Sequence, residues 1–249
     1  RAFWKNVYEP FIRQSAGLGR APRHRDADHY EHMYAHVDVL VVGGGVAGLA
    51  AAREAAEAGR EVMLVEQTGA WGGRAPVDGH VSDAEIDAQV AALAAMPNVR
   101  MRLRTMGAGV YDHGYVLAHE RITDHAPDDS RPRHRLWRIR AGEVVTATGA
   151  IERPLSFAGN DLPGVMLASA VRDYVVDYGV APGRRTVVVT NNDDGYRTAL
   201  ALKSAGLEVP AVLDARSEAT GSLATEAREA GIDVRAGRGI AKVTGKGRV

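Results

Sequence analysis

The stretch from Val37 to Glu66 constrains this chain more than any other. Val37-Asp-Val-Leu-Val-Val42 is a short apolar run that suits a buried parallel strand. Gly43-Gly-Gly45-Val-Ala-Gly48 follows it directly and matches G-x-G-x-x-G. In that pattern Gly43 permits the tight turn from strand to helix. Gly45 lets the backbone approach a pyrophosphate, and Gly48 allows close helix–strand packing. Ala47–Ala58 is Ala-rich and unbroken until Gly59, which predicts a helix. Its N-terminus offers free N–H groups and a positive dipole end to phosphates. Glu61–Glu66 predicts the next strand, and Glu66 lies 18 residues beyond Gly48. A carboxylate there accepts hydrogen bonds from ribose hydroxyls and opposes a 2′-phosphate. It therefore disfavours NADP without separating NAD from FAD. A lone G-x-G-x-x-G is a weak signal; the strand before it, the helix after it and the spaced acid make it a fingerprint. The alternatives are a glycine turn with no ligand and a surface carboxylate that merely ends a strand.

The rest of the chain bounds this reading. Its 249 residues suffice for one large domain or two smaller ones. Lys plus Arg and Asp plus Glu each number 31, so no global electrostatic footprint points to nucleic acid or an anionic membrane. The absence of Cys excludes a disulfide framework, a thiolate nucleophile and a Cys-ligated cluster, and fits a reducing cytoplasm. No apolar run approaches the roughly 18 residues of a membrane span. Arg1–Ile12 lacks the apolar core of a signal peptide. Residues 239–249 have the pattern of a strand hairpin cut short, which predicts a piece of a longer polypeptide.

Trp4, Val7, Tyr8, Phe11 and Ile12 share one helical face. This predicts an N-terminal helix docked on the core; a surface for a partner is the sharper alternative. Ala16–Asp28 is basic and loop-like. His29, His32 and His36 could share a helical face and hold a metal, but Tyr30, Glu31 and Tyr34 favour an ordinary polar connector. Ser82 with Glu85 predicts a capping box and a helix to about Met96. Val99–Leu103 is a third strand. Residues 110–123 and 134–140 alternate as strands do, around a loop at Ala126–Pro132. They predict a small antiparallel meander inserted before a core strand at Val144–Ala147. Leu167–Tyr178 is helical, with Gly179 as its stop. Thr186–Thr190, Tyr196–Ala205, Glu208–Asp214 and Glu218–Ala230 form a second strand–helix–strand–helix unit. The expected class is α/β: a Rossmann-like dinucleotide-binding domain with a parallel sheet and an inserted meander, then a degenerate βαβ domain. The expected bounds are 1–36 for the helix and connector, 37–165 for the first domain and 166–249 for the second, truncated one.

Gly72-Gly73 follows the second strand and Thr146-Ala-Thr148-Gly149 closes the later one. Each could be an ordinary turn. In this order they resemble the two-dinucleotide-binding-domain flavoprotein superfamily, where such segments lie against the cofactor, which makes Gly73, Thr148 and Gly149 candidate contacts. A narrower resemblance rests on Arg104-Thr105, Tyr111-Asp-His113, Ala147-Thr-Gly-Ala-Ile-Glu-Arg-Pro154, the run from Asn160 to Ala170 and Tyr178-Gly-Val-Ala-Pro-Gly183. Together they are similar to the α subunit of bacterial heterotetrameric sarcosine oxidase, over nearly the whole chain.

That resemblance implies an NAD-binding α subunit working with β, γ and δ subunits in the cytoplasm. It implies FAD on the β subunit, where sarcosine is oxidised, a covalent FMN at the α/β interface, and a folate-binding domain further along the α chain. Related α-type subunits occur in opine and amino-acid dehydrogenases and in cyanide-forming glycine oxidases, which leaves the substrate amine open. Carried over by position, it implies NAD contacts at Ala47, Glu66, Gln67, Thr68, Arg74 and around Gly107. Two departures stand out: Val46 replaces a proline of many relatives, and Gly107-Ala-Gly109 replaces bulkier residues.

In the second unit Thr190-Asn-Asn-Asp-Asp-Gly-Tyr196 offers only Gly195, and Asp193 and Asp194 oppose a pyrophosphate. One dinucleotide site is therefore expected, not two. No catalytic constellation is visible. His113, His119 and His125 lack a fixed carboxylate partner, and Ser169 lacks a nucleophile-elbow context. A hydride-transfer subunit needs none, because the cofactor carries that chemistry. The expected function is the NAD-binding part of a sarcosine oxidase-like α subunit, inactive by itself, supporting oxidative demethylation of sarcosine to glycine. The alternatives are an FAD-binding subunit of a related amino-acid or opine dehydrogenase, an independent reductase using FAD and NAD, and a non-catalytic dinucleotide-binding module.

Overall fold

The spine of the larger sheet is β1 (Tyr30–Val42), thirteen residues long. It pairs in parallel with β2 (Val62–Val65) on one side and along its whole length with β6 (His134–Thr146) on the other. Beyond β2 lies β3 (Val99–Arg102), also parallel. Beyond β6 the hairpin of β5 (Tyr115–Arg121) and β4 (Thr105–Tyr111) continues the sheet in antiparallel sense. The strand order is β3-β2-β1-β6-β5-β4. The computed structural model describes residues 2–19, 24–79, 81–128 and 130–249. Parts of the expected loops at 16–28 and 126–132 fall outside these residues.

A bulge in β1 lets one strand serve two cores. The N–H groups of Asp38 and Val39 both donate to the Glu61 carbonyl, at 2.9 and 3.0 Å. Two residues thus oppose one, and the side-chain alternation slips by one position. Before the bulge, Ala35 and Val37 pack with Val116, Ala118, Trp137 and Ile139 under the meander. After it, Val39 and Val41 face Leu49, Ala52, Ile86 and Leu93 of the covering helices, while Leu40 joins the meander core. The helices are α2 (Val46–Glu57) and α4 (Asp83–Ala94). The short α3 (Ala75–Asp78) precedes α4. Ser82 caps α4 with the reciprocal box expected: its hydroxyl accepts from the Glu85 N–H, and the Glu85 carboxylate accepts from the Ser82 N–H.

Several expectations need correction. Residues 30–36 are strand, not connector, so His32 and His36 do not share a helical face and the spacing argument for a metal lapses. Among the described residues no group of three or more His, Asp or Glu side chains is placed to hold a metal ion. The meander strand and the following core strand are a single strand, β6, which keeps one register with β1 on both sides of Gly142. The amphipathic N-terminal segment is indeed helical, as a π turn at Trp4–Tyr8 leading into α1 (Glu9–Ser15). It is not docked: none of its residues is buried, and Phe11 is 70% exposed.

The second unit is a parallel three-stranded sheet of β7 (Val188–Thr190), β8 (Ala211–Asp214) and β9 (Asp233–Ala236). The helices α5 (Ala168–Val176), α6 (Asp194–Ser204) and α7 (Ser222–Glu229) accompany it. Its core joins Val171, Val188, Tyr196, Ala199, Leu202, Val212 and Ile232. Residues 239–249 form no hairpin. Lys242 instead bridges in parallel to Ala158, and the Val249 N–H donates to the Pro163 carbonyl. The α/β class with a parallel sheet is as the sequence indicated. No helix among the described residues is long and apolar enough to cross a membrane.

Candidate functional site

The glycine turn sits where β1 delivers the chain to α2, and its glycines are required for different reasons. Gly43 has φ +109°, and a Cβ there would lie 2.2 Å from the Ala147 carbonyl oxygen. A Cβ on Gly48 would lie 1.8 Å from the Gly43 oxygen, so helix and turn touch backbone to backbone. A Cβ on Gly44 would strike the Trp71 ring at 2.5 Å. Gly45 differs. It is the N-cap of α2, with φ −74° and ψ −179°, which any residue adopts. A Cβ there would meet nothing nearer than the Gly73 Cα at 3.9 Å. The chain's own packing does not demand glycine at 45; a group seated on the helix N-terminus would.

Glu66 follows β2 and is 7% exposed, so it is not a surface carboxylate. Its Oε2 accepts the Gly44 N–H and its Oε1 accepts the Thr68 N–H, both at 2.7 Å. These charge-assisted bonds fix the carboxylate beside the glycine turn, and each oxygen keeps further acceptor capacity. Gln67 and Thr68 are exposed and line a cleft of about 360 Å³ with Met106, His119 and Arg121. Arg121 donates to the Gln67 carbonyl at 2.8 Å. Ala47 is exposed on the first turn of α2. Gly73, at φ +58°, packs so closely that a Cβ on it would lie 3.0 Å from the Gly45 Cα. Thr148 follows Ala147, whose N–H donates to the Val42 carbonyl, and its own backbone nitrogen flanks Gly43. Gly149 is exposed with φ +73°. Gly107 lies on the irregular stretch of β4, and a Cβ there would meet the Val42 side chain at 2.8 Å. These residues gather at one end of the sheet. Arg74 is directed elsewhere: its guanidinium binds Asp173 at 2.8 Å and Asp78 at 3.3 Å.

Sequence reading missed several participants. Trp71 walls the turn at Gly44, and Met106 and Arg121 line the cleft. Their adjacency to Gly72-Gly73 and to the meander was the available signal. His134 is a meander histidine with a carboxylate partner, Asp124 at 3.0 Å, and the His119 ring meets it edge-on at 4.7 Å. Burial and the neighbouring His134 hold His119 below the usual histidine range.

The second unit repeats the topology but fills the equivalent space with its own side chains. A Cβ on Gly195 would strike the Thr190 side chain at 2.5 Å, so this glycine serves packing. Asp193 binds Arg216 and Asp194 binds Arg172, at 2.8 and 2.9 Å. Asp214 ends β8 as Glu66 follows β2, and it is fully buried. It accepts the Tyr196 hydroxyl at 2.6 Å and the Arg216 guanidinium at 2.7 Å. Burial raises the Asp214 carboxyl, but Arg216 and Tyr196 overcome this and hold it at about 2. Burial and Asp214 together push the Tyr196 hydroxyl up to about 12. The depressed acid contributes stability that is present above its unfolded value of about 3.9. That stability is lost as pH falls through about 2. Thermal melts should therefore show a steep acid limb between these values, flattened in Asp214→Asn. An unchanged limb would contradict the assignment.

Residues 37–249 match the pyridine nucleotide-disulphide oxidoreductase family model. The chain belongs to the pyridine nucleotide-disulphide oxidoreductase family. Its family fold implies binding of FAD or NAD(P). It is 46% identical over 223 residues to sarcosine oxidase subunit alpha of Rhizobium meliloti strain 1021, covering 87% of this chain and 23% of that one. It is 45% identical over 227 residues to sarcosine oxidase subunit alpha of Corynebacterium sp. strain P-1, covering 88% and 23%. The chain thus spans about a quarter of the length of these relatives. The resemblance read from its motifs is borne out. Among solved structures, L-proline dehydrogenase from P. horikoshii superposes with a TM-score of 0.55 at 27% identity, covering 82% of this chain and 40% of that one.

Proposed function

We propose that residues 37–165 bind NAD at the N-terminus of α2, and that this unit serves a multisubunit flavoenzyme that oxidises sarcosine or a similar secondary amine. The observation that carries the nucleotide reading is Gly45, a glycine that the protein's own contacts leave free. In this reading Gly43, Gly45, Ala47 and Gly48 cradle the pyrophosphate against backbone N–H groups. Glu66 accepts from the adenosine ribose, while Gln67, Thr68 and the backbone at Gly107 flank the adenosine. Gly73, Thr148 and Gly149 border the far side, and Arg74 is within reach of a phosphate. Bound NAD would supply hydride acceptance; the chain's residues bind and orient it. Residues 166–249 act as a structural unit, because Asp214, Tyr196 and Arg216 occupy the space of a second site. FAD and FMN reside on or with partner β subunits, and γ, δ and a folate-binding segment complete the cytoplasmic assembly. FAD in place of NAD at the glycine turn would betray itself as a yellow full-length chain without its partners.

Glu66 provides the sharpest test of ligand choice. Glu66→Ala should weaken NAD binding by about 1.5–3 kcal/mol, the range for hydrogen bonds to a charged group. NADP should bind the wild type much more weakly than NAD. Calorimetric titration of both ligands checks this, with circular dichroism to confirm folding, since the change also strips Gly44 and Thr68 of an acceptor. Equal affinities for NAD and NADP would mean that Glu66 does not face the ribose.

A further inference from the structure

We propose that Asp173 competes with a bound phosphate for the Arg74 guanidinium, and so sets the affinity of the dinucleotide site; this rests on the NAD reading above. Arg74 directly follows Gly73, the residue packed against the Gly45 Cα. Its side chain therefore starts one residue from the pyrophosphate cradle. In the structure it turns away, to Asp173 Oδ1 at 2.8 Å and Asp78 Oδ1 at 3.3 Å. Asp173 sits on α5, so this ion pair joins the nucleotide unit to the second one.

Two features make the pair exchangeable. Arg74 and Asp173 side chains are 41% and 33% exposed, and ion pairs that water reaches are weak. Beside them the Arg172 side chain is only 1% exposed and binds Asp78 at 2.8 Å. When Arg74 leaves, Asp78 keeps a cationic partner and only Asp173 loses one, to water. A guanidinium fork fits a phosphate as well as a carboxylate, bidentately in both cases. The exchange of one anion for another breaks no covalent bond. Binding of the dinucleotide then loosens one of the ties between the units, and by linkage anything that strengthens the Arg74–Asp173 pair weakens the nucleotide.

The test is calorimetric titration of NAD into the full chain as wild type, Asp173→Asn, Arg74→Gln and the double variant. Asp173→Asn should bind about two- to fivefold more tightly, the fold-change that corresponds to an exposed ion pair. Arg74→Gln should bind more weakly, and in that background Asp173→Asn should change nothing. Equal or weaker binding by Asp173→Asn would overturn the competition while leaving the NAD site standing. The same gain without Arg74 would overturn it too. If neither wild type nor Asp173→Asn binds NAD, the dinucleotide reading falls and this proposal falls with it.

Discussion

A Gly45→Val protein is expected to fold normally and to show no NAD binding by calorimetry. Valine tolerates the extended conformation found at this N-cap, and its Cβ would meet only ordinary contacts near 3.9 Å. Its two methyl groups would project into the space above the helix N-terminus, where the backbone must approach a pyrophosphate. The neighbouring glycines provide the contrast. Gly43→Val and Gly48→Val would drive a side chain into carbonyl oxygens at 2.2 and 1.8 Å, so both should fail to fold. Thermal melts separate the two kinds of defect. A folded Gly45→Val with wild-type NAD affinity would remove the assignment of this turn. An unfolded one would mean that glycine at 45 answers to packing after all.

Arg172→Met is expected to cost roughly 1.5–3 kcal/mol of stability, the range for hydrogen bonds to a charged group. The Arg172 side chain lies between Asp78 of α3 and Asp194 of α6, at 2.8 and 2.9 Å. It also donates to the Asp194 carbonyl at 3.1 Å and lies 3.3 Å from the Thr198 hydroxyl. Methionine fills much of the same volume, so the loss reports the charge and its hydrogen bonds more than a cavity. Arg74 still faces Asp78, but Asp194 loses its guanidinium outright. Denaturant unfolding should show the loss, with the two units melting less cooperatively. A change below about 1 kcal/mol, the ceiling for exposed pairs, would show that Arg172 is not the tie it resembles.

What the sequence revealed was local, and what it concealed was decided at a distance. The strand, the glycines, the helix and Glu66 lie within thirty residues, and each constrains the next through backbone geometry. The Ser82–Glu85 box is legible for the same reason. The length of β1 was not legible. Its first half carries Tyr30, His32, Tyr34 and His36 on an open face, and only Ala35 and Val37 mark the buried one. The bulge that shifts the alternation depends on the Glu61 carbonyl, more than twenty residues away. Arg172 stands in a helix as an unremarkable basic residue, and only the packing of α3 against α5 and α6 buries it. By sequence Asp193 and Asp194 only oppose a phosphate; their binding to Arg216 and Arg172 is set by packing.

The bend that the bulge puts into β1 has a mechanical meaning. The meander hangs on the first halves of β1 and β6, yet it curls back to the nucleotide end of the sheet: the Thr105 N–H donates to the Glu66 carbonyl at 2.7 Å, and Arg121 donates to the Gln67 carbonyl at 2.8 Å. Whatever grips the meander therefore grips a wall of the nucleotide cleft as well.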